Sequence, residues 1–167
     1  GHGILVQEGA QLNAANVQMR DVTGTGILAL QAGSFTLLRA DISAPNDAAV
    51  VIQDTGPLHI SASGLLGLTD ALFMQNISGG LLVEGNALRA FGDGNGLVAQ
   101  GEVGGEIRSN RIVGGRSGMV LSGQSQGLLV QENAVAGRDS HALYAGMAGP
   151  VDVSGNAFFA ANGLARL

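Results

Sequence analysis

Short apolar runs recur along this chain at nearly even intervals. A Gly or Ala followed by three mostly apolar residues appears as GILV from Gly3, GILA from Gly26, AVVI from Ala49, ALFM from Ala71, GLVA from Gly96, GMVL from Gly118, ALYA from Ala142 and GLAR from Gly163. The intervals are 23, 23, 22, 25, 22, 24 and 21 residues. A period in the low twenties predicts a solenoid, in which each unit buries its apolar side only against its neighbours.

A second pattern sits inside the repeat and reads apolar-x-apolar-x-x-Asn-x-apolar. It occurs as LLVEGNAL at 81–88, LLVQENAV at 128–135 and VDVSGNAF at 151–158, while GEIRSNRI at 105–112 lacks only the first apolar residue. The asparagines Asn86, Asn110, Asn133 and Asn156 are spaced 24, 23 and 23 apart. Upstream the column becomes Ser63 and Ala40, although the apolar positions around it persist. VQMRDV at 17–22 is shorter and leaves the register of the first unit open.

Each unit therefore holds three brief extended runs, separated by Gly, Ser, Asn, Gln and Glu, a mixture rich in turn formers. From Gly118 these runs are MVL, LLV from Leu128 and AVA from Ala134. No segment sustains a helical period. A left-handed β-helix, built on hexads with about 18 residues per coil, does not fit the period. A leucine-rich repeat shares LxLxxNxL, but Ser78, Glu102, Ser125 and Ala148 stand where it wants an apolar residue. The expected fold is all-β: a single-chain right-handed parallel β-helix solenoid of about seven coils, each 21–25 residues long with three short strands.

On coil length, three strands and the Asn column, the chain from Gly3 to Leu167 resembles the right-handed parallel β-helix, or pectate-lyase-like, superfamily. The resemblance implies that Asn86, Asn110, Asn133 and Asn156 mark the tight turn between second and third strands. Their amides would stack there in a ladder inside the coil, each helping to satisfy the next. It also implies a secreted or cell-surface setting, a carbohydrate ligand as one option, and, in enzymes of this fold, catalytic Asp, Arg or Lys beside the first strand.

Side chains on a strand alternate between faces. In the first strand, Ile4, Ile27, Val50, Leu72, Leu97, Met119, Leu143 and Leu164 should point inward, as should Val6, Ala29, Ile52, Met74, Ala99, Leu121 and Ala145. The column between them points outward: Leu5, Leu28, Val51, Phe73, Val98, Val120, Tyr144 and Ala165, none of them charged. With rungs about 4.8 Å apart, this stripe is roughly 34 Å long. Its area of roughly 270–400 Å² is about the largest patch a monomer ordinarily exposes. The expected cover is a segment of a parent chain, a second copy or another protein. Beside it runs a polar column, Gln7, Gln53, Gln75, Gln100 and Ser122, broken by Leu30. The second strand's outward column is mixed, with Thr36, His59, Leu82, Glu106, Leu129 and Asp152.

The stripe changes the functional expectation. Glycosidic chemistry needs paired carboxylates, or a base beside a cation. The outward column instead holds aliphatics, Phe73 and Tyr144, so the chain reads as a non-enzymatic structural or binding module, with no catalytic residue and no cofactor assigned. The alternative is a carbohydrate-active module. Asp47, Asp70, Asp93 and Asp139 lie in the turns that end coils, a ladder broken at Gly115-Arg116-Ser117. Asp favours turns on its own account, and no metal site is expected from it. His59 and His141 lack the spacing of a zinc site. Arg108, Arg111, Arg116 and Arg138 read as a solvated face.

Composition sharpens this outline. The 167 residues are 46% hydrophobic and only 13% charged, with 28 Gly and 3 Pro, the reverse of a disordered chain. A net charge of −5 argues against a nucleic-acid surface. With no Cys there is neither a disulfide framework nor a thiolate metal site. No run reaches the ~18 apolar residues of a membrane span, and the start does not read as a signal peptide. Gly1-His2 reads as a tag remnant, and residues 3–167 as one β-helix domain cut from a longer protein. Its open ends should be capped by that parent or paired in an assembly, with Arg166 falling at an inward position of the last coil.

Overall fold

The computed structural model describes residues 1–160 and the strand Ala165–Arg166. The chain winds as a parallel β-solenoid of about seven turns, with no helix among the described residues. First strands run Ile4–Gln7, Ile27–Leu30, Val50–Thr55, Leu72–Ile77 and Leu143–Ala148. Second strands run Gln11–Ala15, Ser34–Leu38, Leu58–Ser61, Leu81–Glu84 and Val151–Ser154. Third strands run from Gln18–Met19 in the first coil to Ala157–Ala160 in the last described one. All pair in parallel with the coils above and below.

Two coils depart from the three-strand expectation. In them the first and second strands merge into Leu97–Arg108 and Met119–Gln131. Glycine permits this. Gly101 (φ 73°) pairs with Gly123 (φ 106°), so the backbone rounds the corner without leaving the sheet, and the register slips only between Val103 and Gly105. Positive φ carries no side-chain penalty at Gly. Other coils turn the same corner through a non-Gly residue in the left-handed region, such as Asp54 (φ 51°) or Asn76 (φ 52°), and their strands end one residue later, at Thr55 and Ile77.

The inward columns form one core cluster. Ile27, Ile52, Leu72, Leu97 and Met119 from first strands meet Phe35, Ile60 and Ile107 from second strands and Ile42, Leu65 and Ile112 from third strands, all 0–1% exposed. Each such side chain contributes about 1.5–3 kcal/mol by leaving water. The Gly/Ala column lies at the corner where a third strand leads into the next first strand. A Cβ at Gly26 would meet Ile42 Cγ2 at 2.6 Å, one at Gly96 would meet Ile112 Cγ2 at 2.5 Å, and one at Gly118 would meet Val135 Cγ1 at 2.5 Å. The small residue is there because the third strand's side chain and the next coil's carbonyl, such as Ala49 O at 2.4 Å from a Cβ at Gly26, both crowd its space.

The turn between second and third strands is the most uniform feature. Five residues separate Leu58 from Ser63, Leu81 from Asn86, Leu128 from Asn133 and Val151 from Asn156. The residue before the column is left-handed in every coil: Asn16, Arg39, Ala62, Gly85, Ser109, Glu132 and Gly155, with φ from 50° to 64°. For the non-Gly residues this costs about 1–2 kcal/mol each. The column's hydrogen bonds offset it. The backbone N–H and Nδ2 of Asn86 both donate to Asn110 Oδ1 at 3.0 Å. Asn110 repeats this onto Asn133 Oδ1 at 3.0 Å, and Asn133 onto Asn156 Oδ1 at 2.8 and 2.9 Å. Each Nδ2 also donates to a carbonyl inside the coil, such as Val83 O at 2.8 Å from Asn110.

The ladder does not stop where the asparagines do. The Ser63 N–H donates to Asn86 Oδ1 at 2.9 Å, and Ser63 Oγ accepts the Ala40 N–H at 3.0 Å while donating to Ser61 O. Ser63 thus replaces the amide with a hydroxyl, and Ala40 closes the column with its backbone donor alone. The first coil's register is also settled, since Gln18 pairs with Asp41 and Met19 with Ile42.

The last coil corrects the sequence expectation. Ala165 pairs with Leu143, and Arg166 with Tyr144, so both lie one position away from the expected register and Arg166 does not align with the inward Ala145. Leu164 lies outside the described residues. The reason is the length of the turn. Nine residues lead from Ser63 to Leu72 and from Asn110 to Met119, and a Leu164 register would leave one residue fewer after Asn156.

Candidate functional site

The outward face of the first strands is a continuous surface in register from coil to coil. Leu5, Leu28, Val51, Phe73, Val98, Val120 and Tyr144 pair in register, rung upon rung. Stacking covers much of each one. Leu5, on the end coil, is 50% exposed, Val98 only 6%, and the other five are half-buried. The column is thus continuous and uncharged, but its neighbours shield it more than its sequence suggests. Gln7, Leu30, Gln53, Gln75, Gln100 and Ser122 align beside it, and Gln53 Nε2 donates to Gln75 Oε1 at 3.0 Å.

At the C-terminal end this face meets a concavity of about 330 Å³ lined by Asn95, Arg116, Ser117, Val120, Ser140, His141 and Tyr144. Ser140 Oγ lies 2.7 Å from His141 Nδ1, and the His141 ring meets Tyr144 edge-on at 6.2 Å. In sequence, Arg116 belongs with the arginines of a solvated face and His141 stands as an isolated histidine. The available signal was that both fall in the turn before a first strand, one coil apart. A second concavity, about 550 Å³, lies at the first corner among Asn76, Ser78, Gly79, Glu102, Gly104 and Gln126. There Asn76 Nδ2 donates to Asp54 Oδ1 at 2.8 Å, and the Glu102 N–H donates to Asn76 Oδ1 at 3.1 Å.

Coil-ending acids tie the turns of neighbouring coils together. Asp47 Oδ2 accepts from Thr25 Oγ1 and Oδ1 from the Ala48 N–H, both at 2.8 Å. Asp70 Oδ1 accepts from Asn95 N and Nδ2 at 2.8 and 3.1 Å. The described residues contain no cluster of three or more His, Cys, Asp or Glu placed to hold a metal ion. The arginines disperse. Arg108 faces out from a second-strand row, Arg111 from the third, and Arg138 Nη2 reaches Phe91 O at 3.3 Å.

Charge concentrates on the second-strand face. Arg108 Nη2 and Nε donate to Glu84 Oε2 at 2.8 and 3.1 Å, and Nη1 lies 3.3 Å from Glu106 Oε2. His59 Nε2 is 3.4 Å from Glu84 Oε1, near enough for attraction but not hydrogen-bonded. Arg108, by hydrogen bond and charge, holds the Glu84 carboxyl below its usual 4.5 against opposing desolvation, with His59 adding less. A depressed carboxyl stabilises the fold above its unfolded value and loses that contribution as pH falls through the folded one. Glu84→Gln should therefore lower the unfolding midpoint at pH 7 by only ~1–2 °C, because exposed pairs are weak. The gap from wild type should narrow as pH falls below the usual carboxylate range, followed by circular dichroism. A gap that is unchanged at pH 3 would show that the effect is not the ion pair.

The coil path, the ladder and this face are set by the chain's own repeat. Compared with protein-family models, curated proteins and solved structures, the chain matches none.

Proposed function

We propose that this chain is a non-enzymatic scaffold that holds another protein surface against its first-strand face. The observation that carries the proposal is the unbroken uncharged column from Leu5 to Tyr144, in register over seven rungs and flanked by amides. Strands covered on both faces read as continuous apolar runs, as these do. The rigidity that a scaffold needs comes from the core and the Asn ladder. Bond cleavage at this face would call for acids, bases or cations where aliphatic and amide side chains stand.

The test places charge on the stripe where a side chain has room. Val98 is 6% exposed and would carry a charge into the sheet, so Val51 and Val120 are the better sites. Val51→Glu/Val120→Glu should keep the wild-type circular dichroism spectrum and lose association, read as solution mass by light scattering over a wide concentration range. Association unaltered by the two charges would place the contact elsewhere and end this reading.

A second reading, a carbohydrate-active module, has one observation in its favour. The concavity beside Tyr144 combines an aromatic ring with Arg116, Asn95 and His141. Resemblance to the pectate-lyase-like superfamily adds to it, and with it a secreted or cell-surface setting. A glycan array probed with wild type and Tyr144→Ala tests it: binding lost on truncation supports a sugar site, and no binding by either protein removes it.

A further inference from the structure

We infer that the concavity beside Tyr144 is a binding site for a small carboxylate carried on a flat apolar ring. Such a site works whatever covers the first-strand face, and it needs no sugar. The turns that lead into the first strands change character along the solenoid. The residue just before each Gly or Ala is Thr25, Ala48, Asp70, Asn95, Ser117 and His141 in successive coils. The residue before that is Asp47 early in the chain, but Arg116 and Ser140 late in it. In the earlier coils donor and acid meet each other, as Thr25 Oγ1 meets Asp47 Oδ2 at 2.8 Å and Asn95 Nδ2 meets Asp70 Oδ1 at 3.1 Å.

In the later coils the donors have no such acceptor. Ser117 is 5% exposed and lines the concavity, yet its hydroxyl makes no hydrogen bond to any described residue. A buried polar group in a folded protein ordinarily has a partner. The Arg116 guanidinium lines the same concavity and has no ion pair or side-chain hydrogen bond among the described residues. Asp70 and Asp139, the acids of the adjoining turns, do not line it. Backbone bonds hold the walls in place: the Ser140 N–H donates to Arg116 O at 2.9 Å, and the Gly118 N–H to His141 O at 3.0 Å. A planar guanidinium fork with a hydroxyl beside it matches the two oxygens of a carboxylate.

The remaining wall suits a ring. Val120 and Tyr144 stack in register, and Tyr144 lies along its own strand over Gly146. A Cβ at Gly146 would lie 3.1 Å from the Tyr144 hydroxyl and 3.2 Å from Cε1, so the absence of a side chain there lets the ring lie down. Tyr144 thus forms a flat wall against which a second ring can pack, offset or edge-on. At about 330 Å³ the concavity is at the small end of ligand sites, room for one ring with its carboxylate.

Benzoate is the probe. In a titration followed by amide chemical shifts, it should shift Ser117, His141 and Tyr144 saturably, with a dissociation constant on the order of 10⁻³ M, ordinary for so small a ligand in an open site. Arg116→Gln should weaken binding at least ~10-fold. Ser117→Ala should weaken it about 3–10-fold without lowering the unfolding midpoint, because that hydroxyl bonds nothing in the fold. Arg89→Gln, which removes an exposed arginine from the third strand Ala87–Ala90, should leave the affinity unchanged. Benzyl alcohol, a ring without charge, and acetate, a charge without the ring, should each bind at least ~10-fold more weakly than benzoate. No saturable shift at up to about 50 mM benzoate, well above the expected dissociation constant, overturns the site. Equal losses in Arg89→Gln and Arg116→Gln overturn it too, since binding is then a general attraction to arginine. Benzyl alcohol binding as tightly as benzoate removes the carboxylate from the inference, and acetate binding as tightly removes the ring.

Discussion

Asn110→Ala lowers the unfolding free energy by about 3–5 kcal/mol, a large loss for one side chain. The reason is what it strands. Asn110 Oδ1 accepts two donors from Asn86, its backbone N–H and its Nδ2, both at 3.0 Å. Asn86 is 2% exposed, so water cannot replace the lost acceptor. Each buried donor left without a partner costs about 1–3 kcal/mol. Val83 O and Arg108 O lose the Nδ2 donor as well. Asn156→Ala is the control. It removes the same two contacts from Asn133, itself 1% exposed, but the side chain taken away is only half-buried, so water enters the space it leaves. Its cost should be about 1 kcal/mol, the ordinary net value of a hydrogen bond. Urea unfolding of the two variants compares them directly. Equal losses would mean that the ladder acts through the local turn and not through its chain of bonds.

Gly118→Ala should cost about 2–3 kcal/mol, an unusual penalty for one added methyl, because the added Cβ would lie 2.5 Å from Val135 Cγ1 and 2.6 Å from Ala142 O. The comparison among coils makes the prediction sharper. From the second coil on, Gly stands at the corner where the third strand offers a β-branched residue, as with Gly26 and Ile42, Gly96 and Ile112, or Gly118 and Val135, whereas in the first coil Gly3 faces Met19 and an added Cβ would lie 2.6 Å from Gly26 O. Ala stands there where the corresponding residue is Leu or Phe: Ala49 with Leu65, Ala71 with Leu88, Ala142 with Phe158. A branch at Cβ projects a methyl toward the corner, whereas a branch further out leaves room. Val135→Leu should therefore recover part of the loss when combined with Gly118→Ala, with a coupling of about 1–2 kcal/mol in a double-mutant cycle. Strict additivity would assign the whole penalty to the Ala142 carbonyl.

These two predictions divide what sequence could and could not convey. The Gly/Ala column and the Asn column are legible because a solenoid repeats its environment at each turn, so a residue type that fits once fits again. The columns follow from strand alternation at an even period, and the first strands pair rung on rung from Ile4 to Ala145. The dependence of Gly or Ala on a residue 16 or 17 positions away is less visible, since it needs the corner in three dimensions. Ser63 and Ala40 look like the ladder's failure in sequence and prove to be its continuation, because a hydroxyl or a bare N–H can meet the same demand. At the stripe the residues were legible but their exposure was not. Val98 is covered by its own rungs, which no alternation rule conveys. The Arg116–His141 concavity joins residues from neighbouring coils whose types differ, and a period shows only what repeats.

The fixed turn at the Asn column also decides where this architecture tolerates change in length. The step from second to third strand is the same in every coil, held by a left-handed residue and, from Asn86 onward, a shared amide. The corner before the first strand is not: ten residues lead from Asn133 to Leu143, eleven from Asn86 to Leu97 and nine from Asn110 to Met119. Inserted sequence therefore belongs at 92–95 or 138–141. There a foreign loop would leave the pitch untouched and be displayed at the border of the first-strand face. The solenoid is a ruler graduated on one side and blank on the other.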